Sequence, residues 1–181
     1  MRSFFYIIAV LLLMAGCKEP EARRPLNVKT ATYMDESVER NKKILAHEAE
    51  TIKTIIATDT LNTYYSSAKG FWYCYNTKDS LSGYTPVQDD IVLISYNIRT
   101  LNNDTLYSAK DIGKINLKID REIVFPGLNE GLKLMKKGET VTFLFPSYLA
   151  YGYRGDTDKI GMNTPVRCTV SLLDIIKNEA L

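Results

Sequence analysis

Histidine is nearly missing from this sequence: His47 is the only one, and the three cysteines contain no Cys-x-x-Cys pair. The usual ligand set of a zinc site is therefore lacking, which argues against zinc chemistry. Charge of one sign is lacking too. Twenty-three Lys and Arg against 21 Asp and Glu leave a net +2, which argues against a nucleic-acid partner. The unbroken apolar run from Phe4 to Ala15 falls short of the roughly 20 residues that cross a bilayer. No internal repeat or low-complexity segment appears.

What is present begins with a basic residue, a short apolar middle and a small-residue end, the marks of a secretory signal. Met14-Ala15-Gly16-Cys17 closely resembles a bacterial lipobox, with methionine where leucine is more usual. The resemblance implies that residues 1–16 are removed and that the Cys17 thiol receives a diacylglycerol before its new amine is acylated. Several acyl chains anchor stably where one is marginal. A plain cleaved signal with Cys17 incidental is the alternative. Residues 17–34 are charged, proline-bearing and poor in large apolar residues, and read as a tether. The expected product is a membrane-anchored lipoprotein of the bacterial envelope, its domain in the periplasm or on the cell surface. That compartment permits disulfides. Cys74 and Cys168 both lie in apolar strand-like runs, so two buried free thiols and one bridge are both open readings.

Asp35 and Ser37 can each cap a helix, expected over 35–57, with Val38, Leu45, Ala49, Ile52 and Ile56 along one stripe. His47 falls among charged residues and reads as a solvated surface group. The stripe suits either the domain or a partner helix, within a helical segment ending at 69. From Gly70 the period becomes two. GFWYCYNT is an aromatic strand. Val92, Ile94, Tyr96 and Ile98 share one face, as do Ile115, Leu117 and Ile119, then Val141, Phe143 and Phe145, then Val166, Cys168, Val170 and Leu172. PGLNEGLKLMKKG predicts one short helix with Pro126 in its first turn, Gly138 as its stop, and Leu128, Leu132 and Met135 inward. Five strands around one helix, with no βαβ alternation, predict an α+β domain over 70–181, its antiparallel sheet buried on one face and wet on the other.

Gly127 and Gly131 in FPGLNEGLKLMKKGE, then FPSYLAYG, YRGDTDKIG and the closing VSLLDI, follow one another in a fixed order. Over residues 84–177 this set resembles the FKBP family of peptidyl-prolyl cis-trans isomerases, whose fold is a twisted antiparallel sheet wrapped round a short helix. With the lipobox, the polar helix-forming segment and FWYCYNTKDS in front, the arrangement resembles the gliding-motility-associated lipoprotein isomerases of Bacteroidetes. The resemblance implies proline-containing polypeptide segments as substrate, no cofactor, and machinery proteins of the envelope as partners beside the bilayer itself.

It also implies a site. The first pocket aromatic falls on Tyr96; the family's FDS falls on Leu106-Tyr107-Ser108, with tyrosine for aspartate. Ile115 falls at a wall position, Val124-Phe125-Pro126-Gly127-Leu128 on VIPGW with leucine for the floor tryptophan, and Tyr151 on LAYG. Ile160 is the flap isoleucine, and Cys168 replaces a wall phenylalanine. By the same resemblance the Tyr151 hydroxyl and the Phe125 N–H donate to substrate carbonyls. With Leu128 and Cys168 in place of aromatics, a wider or differently shaped pocket is expected. Tyr148 and Tyr153 read as rim packing, their hydroxyls bonded to backbone. Arg154, Asp156 and Asp158 lack the ligand set of a calcium loop and read as a solvated flap. Beside the enzyme stand two further readings: a non-catalytic proline-binding module, and an assembly component that docks through the helix.

Overall fold

The structure, a computed structural model, describes residues 28–79 and 83–178, with side chains from Met34 onward. The expectations for the signal, for lipid on Cys17 and for most of the tether lie outside the described residues. The chain divides into two compact units, Met1–Val38 and Glu39–Leu181.

The first helix, α1, runs Val28–Thr58, so Asp35 and Ser37 lie within it rather than at its start. No proline or glycine interrupts residues 28–58, which lets the helix extend back into the expected tether. From Glu39 onward the buried side keeps the C-terminal half of the expected stripe, Ala49, Ile52 and Ile56, but not Leu45, and it adds Glu48. Leu45 is 40% exposed, whereas Glu48 and Ile52 are buried and Ile55 and Ile56 half-buried. His47 is exposed, as expected.

Seven strands follow: β1 (Tyr65–Ser66), β2 (Trp72–Thr77), β3 (Ile91–Thr100), β4 (Thr105–Tyr107), β5 (Lys114–Lys118), β6 (Thr140–Phe145) and β7 (Val166–Ile176). They form one antiparallel sheet in the order β1-β2-β6-β7-β3-β4, with β5 on β3 as well. Between them lie α2 (Ala109–Ile112), α3 (Pro126–Leu132) and a 3-10 turn at Ser147–Leu149. α3 opens with Pro126 in its first turn but ends six residues before Gly138. The bonds Leu134 N–H to Gly131 O and Met135 N–H to Leu132 O tighten its end into turns, while Met135 still reaches the core.

α3 lies close on β6 because two of its positions have no side chain. A Cβ at Gly127 would sit 2.5 Å from Phe145 Cδ1, and one at Gly131 2.9 Å from Phe143 Cε1. The period-two faces predicted on β3, β6 and β7 all point into this core, where Leu128, Leu132 and Met135 meet them. The opposite face is not simply wet. Ile52 of α1 is buried there with Leu101 and Leu144, and Ile55, Ile56, Tyr64 and Trp72 pack around them.

Register settles the cysteines. Cys74 pairs with Thr142, and Thr142 with Thr169, whereas Cys168 pairs with Phe143. Alternation therefore puts the two thiols on opposite sheet faces. Both are free and buried.

Candidate functional site

The residues assigned to the pocket come from five elements and the loops between them, and all belong to one core cluster or pack against it. Tyr96 on β3, Phe125 at the start of α3, Leu128, Ile160 and Cys168 are buried in one cluster. Leu106, Tyr107, Ile115, Val124 and Tyr151 are half-buried and packed against it. Leu128 and Cys168 are fully covered, so they form the base of the cluster rather than its surface. Cys17 lies outside the described residues.

Aromatic packing in this cluster comes from other residues. The Phe125 ring packs on Tyr151 with centroids 5.3 Å apart and edge-on against Phe145 at 5.4 Å. Phe143 and Phe145 stack at 5.3 Å, and Phe71 closes on Phe145 at 5.2 Å. Phe125, Phe143 and Phe145 thus form a continuous hydrophobic wall leading up to Tyr151.

The polar groups in this cluster are few. The hydroxyls of Tyr96 and Tyr151 make no hydrogen bond to protein among the described residues, and the Phe125 amide, at the N-cap of α3, donates to no carbonyl there. Burial pushes the Tyr96 phenol up to about 12, with Cys168 adding to the effect. Burial likewise raises Tyr151, helped by Tyr96 and Cys168. Both therefore stay protonated donors at neutral pH.

Asp156 is a residue that sequence reasoning misplaced. It is half-buried, not a solvated flap group. Its Oδ1 accepts from the amides of Asp158 (2.9 Å) and Ile160 (2.7 Å), and its Oδ2 accepts from the Tyr107 hydroxyl. Burial opposes ionisation, but these donors outweigh it and hold the carboxyl below its ordinary value. Gly155, at φ +66, completes the turn; a Cβ there would collide with Ile160 O. The loop thus carries Ile160 to the pocket and ties it to Tyr107 on β4, the residue that stands where the resemblance expects aspartate. Lys159 lies over the Tyr107 ring, 4.8 Å from its centroid. The available signal was the Asp-x-x-x-Ile spacing after glycine, a loop closed by a side-chain acceptor. Ser108 and Asp111 form a capping box that starts α2 and places Ile112 against the cluster, another contact not foreseen.

Tyr148 donates to Gly70 O at 3.4 Å, in keeping with rim packing, but Tyr153 does not pack: it is 72% exposed. Both line a cleft of about 270 Å³ with Ile44 and Leu45 of α1.

The phenols set an alkaline limit. Tyr107 also titrates near 12, held up first by its bond to Asp156. Folded-state values above the ordinary 10 mean that the unfolded chain loses these protons first. Their contribution to stability is complete below about pH 10 and is lost as pH rises toward 12. Urea midpoints measured from pH 8 upward are expected to stay level and then fall across that window. A midpoint that is flat to pH 12 contradicts the assignment.

A family model described as "FKBP-type peptidyl-prolyl cis-trans isomerase" matches residues 83–173. The chain is 37% identical over 94 residues to a probable FKBP-type isomerase, FkpA, of Neisseria meningitidis serogroup B, covering 51% of this chain and 34% of that protein. It is 29% identical over 102 residues to FkpA of Escherichia coli K12, covering 56% of this chain and 37% of that one. The matches thus span little more than a third of the length of these curated relatives. Among solved structures, FkpA from Escherichia coli aligns with TM-score 0.60 at 22% identity, over 96% of this chain and 82% of that one. An isomerase from Pseudomonas syringae pv. tomato aligns with TM-score 0.59, also at 22% identity, over 75% of this chain and 96% of that one. These likenesses fix the architecture, a sheet wrapped around a short helix with a helix in front, and the matched segment contains every pocket residue named above: the chain belongs to the FKBP-type peptidyl-prolyl cis-trans isomerase family.

Proposed function

We propose that this protein catalyses cis-trans isomerisation of X-Pro bonds in exported or envelope proteins, from a position tethered to the membrane through lipid on Cys17. The observation that carries the reading is the pairing of a dry aromatic wall, Phe125 on Phe145 and Tyr151, with unengaged donors at Tyr151 and the Phe125 amide.

Rotation about the amide faces a barrier of roughly 18–20 kcal/mol, because the C–N bond must lose its double-bond character. In the twisted transition state the carbonyl and nitrogen are less polar than in the planar amide. An apolar surface that excludes water disfavours the planar form more, and so lowers the barrier. Phe125, Tyr96 and Ile160 supply that surface over a base of Leu128, with Leu106, Ile115 and Val124 around it. The Tyr151 hydroxyl and Phe125 N–H hold flanking carbonyls of the substrate. No side chain has to accept a proton or attack the substrate.

The lipid anchor is supported by Met14-Ala15-Gly16-Cys17, and a role alongside gliding machinery by the order of lipobox, helix and isomerase segment. One observation favours a second reading. With Leu128 and Cys168 sealed below the surface, the pocket keeps less aromatic area of its own, which suits a module that holds proline segments without turning them over.

Catalysed isomerisation of short X-Pro peptides separates the two. The full-length chain in a non-ionic detergent is expected to accelerate the reaction. In Tyr151→Phe, loss of one donor worth about 0.5–1.5 kcal/mol lowers kcat/KM by roughly two- to thirteenfold. No acceleration by folded protein moves the reading to a non-catalytic binding or assembly module instead.

A further inference from the structure

On the sheet face opposite the prolyl pocket, a polar cleft of about 190 Å³ opens beside the end of α1. Arg99 on β3 and Arg167 on β7 line it and are direct cross-strand partners. Two like charges set opposite one another are destabilising unless something lies between them. Each Nε atom is buried and has no hydrogen-bond partner. Neither guanidinium takes part in a salt bridge among the described residues. Arg99 Nη1 donates to Asn103 Oδ1 at 3.1 Å, which aims the group but brings no negative charge.

Asp59 is the one carboxylate lining the cleft, and it is committed elsewhere. It accepts from Asn62 Nδ2 at 2.9 Å, from the Tyr64 hydroxyl at 3.0 Å and from the amides of Leu61 and Asn62. The cleft therefore has two guanidiniums against one occupied carboxylate. Its floor is held rigid: Thr142 Oγ1 donates to Asn76 Oδ1 at 2.7 Å and lies 2.9 Å from Thr169 Oγ1.

We infer that this cleft is an oxyanion site, in which Arg99 and Arg167 take a carboxylate or phosphate group between them. The planar fork of each guanidinium matches such a group, and one oxyanion would separate the like charges while giving both buried Nε–H groups an acceptor. The site faces away from Tyr151, so it can be filled while a proline segment occupies the pocket. It would hold an acidic side chain or a phosphorylated group of a bound partner.

The test follows the arginine Nε–H signals by NMR, using full-length chain in maltoside micelles at constant ionic strength. Inorganic phosphate and acetate are titrated separately. The Arg99 and Arg167 signals are expected to move saturably in the millimolar range while exposed Arg154 does not, and Arg167→Gln is expected to abolish the movement at Arg99. A response to phosphate alone assigns the site to phosphoryl groups, and one to acetate alone to carboxylates. Absence of saturable movement with both anions overturns the inference, as does an unchanged response in folded Arg167→Gln. Should that variant fail to fold, the titration of the unaltered chain decides.

Discussion

Phe125→Ala is expected to cost about 3–5 kcal/mol of stability, the range for emptying a buried aromatic site. The ring is 2% exposed and wedged between Phe145 and Tyr151. Transfer of its surface from water accounts for about 1.5–3 kcal/mol, and two aromatic contacts add about 0.5–1.5 kcal/mol each. Little can refill the space, because α3 is already held close on β6 by Gly127 and Gly131. A domain of ordinary stability, about 5–15 kcal/mol, would still be largely folded. Its isomerase activity would not survive in proportion. Alanine keeps the backbone N–H at residue 125 but opens the apolar wall to water, which restores the solvation of the planar amide. Folded Phe125→Ala is therefore expected to lose more than tenfold in kcat/KM, while Phe125→Leu, which keeps most of the volume, loses less. Urea titration and peptide kinetics on the same samples check both effects. A stability loss below about 1 kcal/mol would mean the ring is not part of the core. Full kcat/KM in the folded variant would remove Phe125 from the pocket.

The distribution of such residues explains what could be read in advance. Strict alternation in Val92-x-Ile94-x-Tyr96-x-Ile98 and in Val141-x-Phe143-x-Phe145 reports burial directly, because a strand has only two faces; those faces were legible. β1 and β4 are two and three residues long, too short for any period to show. The residues assigned to the pocket rest on the family resemblance, since no spacing rule links Tyr96 to Tyr151 across β4, β5, α3 and β6. Periodicity found only part of what holds α1. A stripe through Val38, Leu45 and Ile52 is a sound reading of apolar residues, yet the helix is held down by Glu48, which no hydrophobicity pattern selects. Asp156 was misjudged for the same reason: a charged residue reads as solvated until its donors, two nearby amides and a phenol distant in sequence, are known.

Glu48 yields the second large effect. It is 4% exposed, and its two oxygens accept from Ser147 N at 2.8 Å and Ser147 Oγ at 2.7 Å, across 99 positions of sequence. Glu48→Ala leaves both donors buried without acceptors, at about 1–3 kcal/mol for each group. Loss of the charged group's own desolvation cost offsets part of this. A net loss of about 3 kcal/mol is expected. The consequence is local as well as global. Ser147 O accepts from the amides of Ala150 and Gly152, which bracket Tyr151, so α1 steadies the loop that presents the proposed donor. Those two bonds persist in the variant, and kcat/KM should fall by less than in Tyr151→Phe. Trp72, the only tryptophan, packs with Ile52 and Leu144 and reports the helix directly. Its emission should shift to the red as α1 loosens, at denaturant concentrations below the main unfolding transition. Combining Glu48→Ala with Ser147→Ala should cost less than the sum of the two single changes, because the hydroxyl left unpaired by the first is removed by the second. Strict additivity, with unchanged Trp72 emission, would show that the helix is held by Ile52 and its apolar neighbours alone.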